Sequence, residues 1–428
     1  MTSKALHVGM ISNLYYPHVG GAERQAQQLA ARLIKSGTRV DIITQKNNDL
    51  PNFEIIDNVP IYRILSYYEL KKSPLLRYVL NIRAGRQISS NSMASVASVR
   101  KIIKNSDFRS NMKKRIIEEY SLLGIWPPLL LHSFRHQYDI LHFHLLSTFN
   151  MLESFPKTYL NLPKILKIGH TKDFDELHEG NRELYFRDTI NRHFSALICI
   201  SSEIQKRCLG LGIMPEKLIR IPNGVDIEHY APPSMQEKIQ LRDKLGISDR
   251  FVILSVGSQQ QVKGIKYLLL SIAELKKRIN NLLYLHIGRR DNATDEILDI
   301  INRHALQSYV SFPGEIQDIR PYLHATDIYA HPSLGEGLSN SLLEAMSSGL
   351  PVVASDVSGS QDIVKTGKTG ILVSPGNVRD LIAAIHAIYE NNDIKNEYGV
   401  ATRLLIENNY SLEIITSKYN ELYRRMLL

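Results

Sequence analysis

Two glutamates, Glu336 and Glu344, stand eight residues apart in the run Ala330-His331-Pro332-Ser333-Leu334-Gly335-Glu336-Gly337-Leu338-Ser339-Asn340-Ser341-Leu342-Leu343-Glu344-Ala345-Met346. The run reads as a strand, a Gly-rich turn and a helix beginning about Ser341, and Pro351–Ala354 beyond it reads as another strand. Such a turn exposes backbone N–H groups from Gly337 to Asn340. A helix N-terminus adds unpaired donors and roughly half a positive charge. This corner suits a phosphate. A blander reading also exists, because Ser341-Leu342-Leu343-Glu344 fits a helix capping box.

Three other places could act with it. Lys263 follows Val256-Gly257-Ser258-Gln259-Gln260-Gln261-Val262, the end of an apolar strand. His170 follows the strand Ile165–Gly169, at the strand end where α/β proteins take ligands, although a lone histidine also serves as an ordinary packing residue. Gly20 and Gly21, in Pro17-His18-Val19-Gly20-Gly21-Ala22-Glu23, open the first helix through a tight turn that is not a GxGxxG fingerprint. Cys199 and Cys208 read as reduced packing residues rather than a disulfide or a metal site. Asp173 and Asp175 form an Asp-x-Asp triplet in a polar loop and are discounted as metal ligands.

The elements that must position these residues alternate between short apolar strands and amphipathic helices, the α/β signature. Strands are expected at Leu6–Ile11, Arg39–Thr44, Asp139–His144, Lys164–Ile168, Ala196–Ile200 and Leu218–Ile221, with a helix at Gly21–Lys35. The second half repeats the grammar at Phe251–Val256, Leu283–Gly288, Val310–Phe312, Ile328–His331, Pro351–Ala354 and Ile371–Val373. At 428 residues the chain exceeds a single core. The Pro-rich stretch after Asn223-Gly224-Val225-Asp226 suits a linker, which places a boundary near Tyr230. Residues 1–230 and 231–410 are then two Rossmann-like domains, and 411–428 a terminal helix.

Composition excludes disordered and fibrous classes, and no apolar run is long enough to span a bilayer. The N-terminus lacks the features of a signal peptide, which points to the cytoplasm. The net charge of +9 concentrates between Lys71 and Arg115, within an insertion at about 70–136. That segment suits an anionic membrane surface at the inner face of the cell membrane, at about 1 kcal/mol per basic residue near the surface. A solvated helical face is the alternative. Nucleic acid is not expected as a partner, because aromatic residues are not interleaved with the charge.

The Glu-x7-Glu run resembles the retaining nucleotide-sugar glycosyltransferases of the GT-B fold, specifically glycosyltransferase family 4. The Gly20-Gly21-Ala22-Glu23 loop, the strand Asp139–His144 and Ile221-Pro222-Asn223-Gly224-Val225-Asp226 match the family in the same order. The likeness runs from about Leu6 to Tyr68 and from about Tyr138 to the C-terminus. It implies two doubly wound domains facing a cleft, the N-terminal one for the acceptor and the C-terminal one for the donor. The last helix, Leu412–Met426, would cross back as in the family.

By resemblance, Glu344 holds the ribose and Glu336 the hydroxyls of the donor sugar. Gly337, Leu338, Ser339 and Asn340, with Lys263, Gly20 and Gly21, hold the diphosphate, and His170 faces the sugar. The loop bearing Glu315 holds the base through its backbone. The catalytic set is then His170, Lys263 and Glu336, with no metal and no other cofactor. The partners implied are a UDP- or GDP-sugar and a glycan or lipid-linked acceptor, as in surface polysaccharide or glycolipid assembly. One departure stands out: Ser258 occupies the place of the family's phosphate-binding arginine, a loss on the order of 3 kcal/mol of transition-state stabilisation for which Arg289 or Arg290 could compensate. The rival readings are a nucleotide-sugar epimerase, a phosphorylase, or a weakly catalytic partner subunit that binds nucleotide sugar.

Overall fold

Runs such as Leu282-Leu283-Tyr284-Leu285-His286-Ile287 carry no polar face, and strands of that kind belong in parallel sheets covered on both sides. The strand Leu282–Ile287 is buried along its whole length. A computed structural model describes residues 5–12, 15, 20–45, 50–64, 137–146, 148, 161–170, 174 and 182–428. The basic segment Lys71–Arg115 and the pair Asp173 and Asp175 lie outside the described residues. Two compact units emerge. One comprises Met1–Lys167, His193–Ser195 and Tyr423–Leu428, the other Ile168–Arg192 and Ala196–Leu422.

In the first unit β1 (His7–Ser12), α1 (Gly21–Lys35), β2 (Arg39–Gln45), β3 (Phe53–Ile56), β4 (Val59–Ile64), β5 (Ile140–His144) and β6 (Lys164–Ile168) follow in sequence. The strands lie in the order β3-β4-β2-β1-β5-β6. All neighbours are parallel except β3 and β4. That pair is a hairpin missed in the sequence reading. Its turn residues, Asp57 and Asn58, both take positive φ, as primed hairpin turns require. The register sets His144 beside Lys167, so these side chains, with His142 two residues back, share one face of the sheet.

The second unit opens with α2 (Arg182–His193), β7 (Ala196–Cys199), α3 (Ser202–Gly210) and β8 (Leu218–Arg220), followed by α4 (Met235–Lys244). Then come β9 (Phe251–Val256), α5 (Ile265–Leu275), β10 (Leu282–Ile287), α6 (Thr294–Arg303), β11 (Val310–Gly314), α7 (Arg320–Ala325) and β12 (Ile328–His331). The remaining elements are α8 (Asn340–Ser347), β13 (Val352–Ser355), α9 (Ser358–Ile363), β14 (Gly370–Val373), α10 (Val378–Glu390), α11 (Asn392–Asn409) and α12 (Leu412–Arg425). The six-stranded sheet has the order β11-β10-β9-β12-β13-β14, every pair parallel. Ile265, Leu268, Leu269 and Ile272 of α5 fall at helical spacing and pack with Ile297 and Ile301 of α6 and Leu381 and Ile385 of α10 in one core. Each such side chain contributes about 1.5–3 kcal/mol on burial, so the sheet ends are held on a stiff frame. Cys199 and Cys208 are buried and free. No described helix is long and apolar enough to cross a membrane.

Candidate active site

The strand order of the second unit reverses direction between β9 and β12. In doubly wound sheets such a switch point opens a crevice at the carboxyl ends of the two strands. The residues that leave those ends are Gly257 to Lys263 from β9 and Pro332 to Asn340 from β12. The topology therefore brings together two stretches that the sequence singled out separately.

Lys263 closes a single 3-10 turn, Gln261–Lys263, and Gly264 behind it starts α5 with φ 65°. A Cβ on Gly264 would sit 2.0 Å from the carbonyl oxygen of Pro332, so only glycine lets the two loops meet this closely. The Leu334 N–H donates to the Val262 carbonyl at 2.7 Å and ties them further. Lys263 Nζ consequently reaches Oε1 of Glu336 and bonds to it. Glu336 is 5% exposed. It also accepts a hydrogen bond from Ser333 Oγ at 3.2 Å. His331 Nε2 lies 3.7 Å from Oε1, and His170 Nε2 lies 3.9 Å from Oε2. Burial alone would lift the Glu336 carboxyl, but the Lys263 ammonium, aided by His331 and His170, holds it below the usual carboxylate range. Burial pushes the His331 imidazole down to about 4. The site thus keeps a buried carboxylate ionised beside the Lys263 ammonium.

Gly337 comes next, and a Cβ there would lie 2.4 Å from the Gly169 carbonyl oxygen. This close approach sets the turn against the residue preceding His170. Asn223 donates from Nδ2 to the Leu338 carbonyl at 3.3 Å and to Asn340 Oδ1 at 2.9 Å. Ser358 Oγ bonds to the Glu336 carbonyl oxygen. The turn is therefore clamped from three sides before α8 begins.

Helix α8 has Ser339 at its N-cap with no side-chain cap bond. Ser341 lies inside the helix, donating to the Val256 carbonyl at 3.2 Å and accepting from Tyr329 Oη at 2.9 Å. The capping-box reading of Ser341 and Glu344 is thereby excluded. Glu344 is 6% exposed on the second turn, a burial that core packing of a carboxylate does not explain.

Of the residues singled out from sequence, His170, Lys263, Glu336, Gly337, Leu338, Ser339, Asn340 and Glu344 gather in this one unit. Glu315 follows the edge strand β11 and is exposed, and Arg289 and Arg290 are exposed after β10. Ser258 is half-buried. Gly20 and Gly21 sit at the start of α1 in the first unit. Sequence reasoning missed His331 and Ser333 as neighbours of Glu336. It also missed α9, which presses on the Glu336–Gly337 backbone through Ser358 and Gly359. The Ser-Gly-Ser run of small residues was the available signal for that contact. Among the described residues no group of three or more His, Cys, Asp or Glu side chains could hold a metal ion.

Residues 20–224 match the family model of the glycosyl transferase 4-like domain, and residues 250–391 that of the glycosyl transferases group 1. The chain belongs to glycosyltransferase family 4. It is a glycosyltransferase of the retaining type. The UDP-Gal:alpha-D-GlcNAc-diphosphoundecaprenol alpha-1,3-galactosyltransferase of Escherichia coli is 27% identical over 306 residues, covering 69% of this chain and 77% of that protein. The poly(ribitol-phosphate) alpha-N-acetylglucosaminyltransferase of Staphylococcus aureus is 28% identical over 279 residues, covering 63% and 53%. Among solved structures, HepE of Anabaena in complex with UDP and glucose superposes with a TM-score of 0.71 at 18% identity, covering 98% of this chain and 100% of that one. This likeness shows the fold, GT-B. The family 4 relatives favour sugar transfer over the epimerase, phosphorylase and partner-subunit readings.

Proposed function

We propose that this family 4 enzyme moves a sugar from a UDP-sugar to a glycan or lipid-linked acceptor in cell-surface polysaccharide or glycolipid assembly, without a metal. The observation that carries the donor reading is the buried Lys263–Glu336 pair at the switch point, beside a helix start whose N-cap, Ser339, makes no side-chain cap bond. UDP is preferred over GDP because HepE of Anabaena was solved with UDP and the E. coli relative is named for UDP-Gal.

In this reading the N–H groups of Gly337, Leu338, Ser339 and Asn340, together with Lys263, neutralise the diphosphate as it leaves. Preorganised donors of this kind are worth most where water is excluded. That set supplies the positive charge that a divalent cation supplies elsewhere, which supports metal independence. Glu344 holds the ribose and Glu336 the hydroxyls of the sugar, while His170, next to Glu336, faces the anomeric side. The backbone beside Glu315 is assigned to the base. Gly20 and Gly21 are assigned to the diphosphate, as the family's glycine loop is. No protein nucleophile is nominated, because a front-face displacement needs none.

The halves 1–230 and 231–410 are assigned to acceptor and donor, with 411–428 a terminal helix. A cytoplasmic location follows, with the inner face of the membrane as the place where a lipid-linked acceptor is met. The test is calorimetric titration of UDP-, GDP- and ADP-sugars, without metal, into wild type and Glu344→Ala. One donor should bind the wild type and be lost in the variant. Equal binding by both proteins would remove the donor-site assignment.

A further inference from the structure

A buried polar atom without a partner forfeits its hydration, so an orphan at a packed site needs a reason. His331 ends β12, is 3% exposed, and its Nε2 has no hydrogen-bond partner. That nitrogen lies 3.7 Å from Glu336 Oε1, the oxygen to which the Lys263 ammonium bonds. The ring cannot easily turn away, because it stacks on Tyr329 with an interplanar angle of 16°. Tyr329 is itself committed to Ser341.

The donor reading above creates a difficulty for Glu336. If Lys263 turns to the diphosphate, the carboxylate buried in the same site loses its strongest donor. Ser333 already donates its single hydroxyl hydrogen to Oε1, and His170 Nε2 stands beside the other oxygen, Oε2. Among the described residues, the remaining donor facing Oε1 is His331.

We propose that His331 is a positioning residue that takes over Glu336 when Lys263 turns to the donor diphosphate, by donating a hydrogen bond from its Nε2–H to Oε1. The proposal rests on the diphosphate role assigned to Lys263. Bringing 3.7 Å within hydrogen-bond range needs a carboxylate shift of roughly 0.7 Å, within reach of a small side-chain rotation. No bond is made or broken. Glu336 stays ionised and aimed at the sugar hydroxyls throughout, and the lysine is free to follow the leaving group. Among the described residues, the titratable groups facing Glu336 are Lys263 from the turn before α5, His170 from just past β6, and His331 and Tyr329 from β12 itself.

The hand-over can be tested with and without donor. Without nucleotide, Lys263→Met leaves Glu336 to His331, so the Nε2–H signal in histidine-selective 15N NMR should move downfield from its wild-type position. With donor, His331→Leu should lower kcat about tenfold to hundredfold, as loss of an orienting partner does, with donor KM little changed. The acid limb of the kcat–pH profile should rise by about one unit. His331→Gln, which keeps an N–H near the same place, should recover most of the rate. An unmoved NMR signal in Lys263→Met overturns the proposal. So does a His331→Leu enzyme with an unshifted acid limb and no rescue by glutamine, the pattern of a purely structural role. Absence of UDP-sugar binding to wild type would instead remove the donor reading, and the nucleotide-free spectrum would still decide whether His331 receives Glu336.

Discussion

The carboxyl ends of the two parallel sheets bury charge in opposite ways. In the second unit Glu336 is buried but ionised, because Lys263 reaches it across the switch point. In the first unit β5 and β6 bury His142, His144 and Lys167 on one face, and among the described residues no carboxylate offsets their burial. Burial there pushes His142 down to about 3, His144 well below its ordinary value, and Lys167 down to about 7. His142 also bonds through Nδ1 to Tyr423 Oη at 2.8 Å. One end preserves charge, while the other suppresses it. Similar strand frames can therefore support opposite electrostatics, decided by whether a counter-ion reaches the buried group.

The largest test of this contrast is Lys263→Met. Losing one preorganised contact to the leaving group should cut kcat by about 10²–10³, measured with saturating donor. The same change leaves Glu336 without its cation. Breaking a buried pair ordinarily costs about 3–5 kcal/mol, but the partial exposure of Lys263 and the takeover by His331 should reduce the stability loss to about 1–2 kcal/mol, read by urea denaturation. An unchanged kcat would place the diphosphate elsewhere and end the claim that this charge is kept for transfer.

Next in size is Lys167→Met. A lysine with a folded pKa of about 7 and an unfolded value near 10.4 binds fewer protons folded than unfolded between those limits. Stability therefore rises with pH across that window, and the burdened state is the acidic one. Replacing the buried ammonium with methionine should stabilise the protein by about 1–4 kcal/mol at pH 7 and flatten the rise between pH 7 and 10. Chemical denaturation at several pH values checks both. A destabilised variant would mean that the lysine is held by a partner and that the contrast between the two ends is false.

Much of this frame was legible in the residues. Parallel strands buried on both faces appear as unbroken apolar runs, and α5 declared itself by leucines and isoleucines at positions 265, 268, 269 and 272. The turn from Glu336 to Asn340 was visible because glycine and small polar residues between a strand and a helix have few other uses. What stayed hidden depended on three-dimensional neighbours. Lys-Ile-Leu-Lys-Ile in β6 looks like a strand with two solvent-facing lysines, yet both Lys164 and Lys167 are buried. His331 reads as the tail of an apolar strand, and only the return of the chain at Glu336 gives it a role. Helix α9 is too short for periodicity to reveal. The hairpin Phe53–Ile64 was missed because its turn is Asp-Asn rather than the familiar Asn-Gly or Asp-Gly.

Ser258→Arg tests the second-unit half of the contrast with the smallest expected effect. Position 258 directly follows Gly257 at the end of β9, on the stretch that carries Lys263 to the switch point. The Ser258 amide lies near the β10 end, since a Cβ on Gly288 would stand 3.2 Å from it, so the backbone there is fixed by packing. A long cation projecting from this half-buried position adds a second charge beside the proposed diphosphate site at little cost to the core. One extra partly solvated charge-assisted bond is worth about 1 kcal/mol, so UDP should bind about fivefold more tightly at low salt. The gain should shrink at high salt, because exposed charge is screened. A weaker complex, or a gain indifferent to salt, would show that the charge which matters at this sheet end is the buried pair alone.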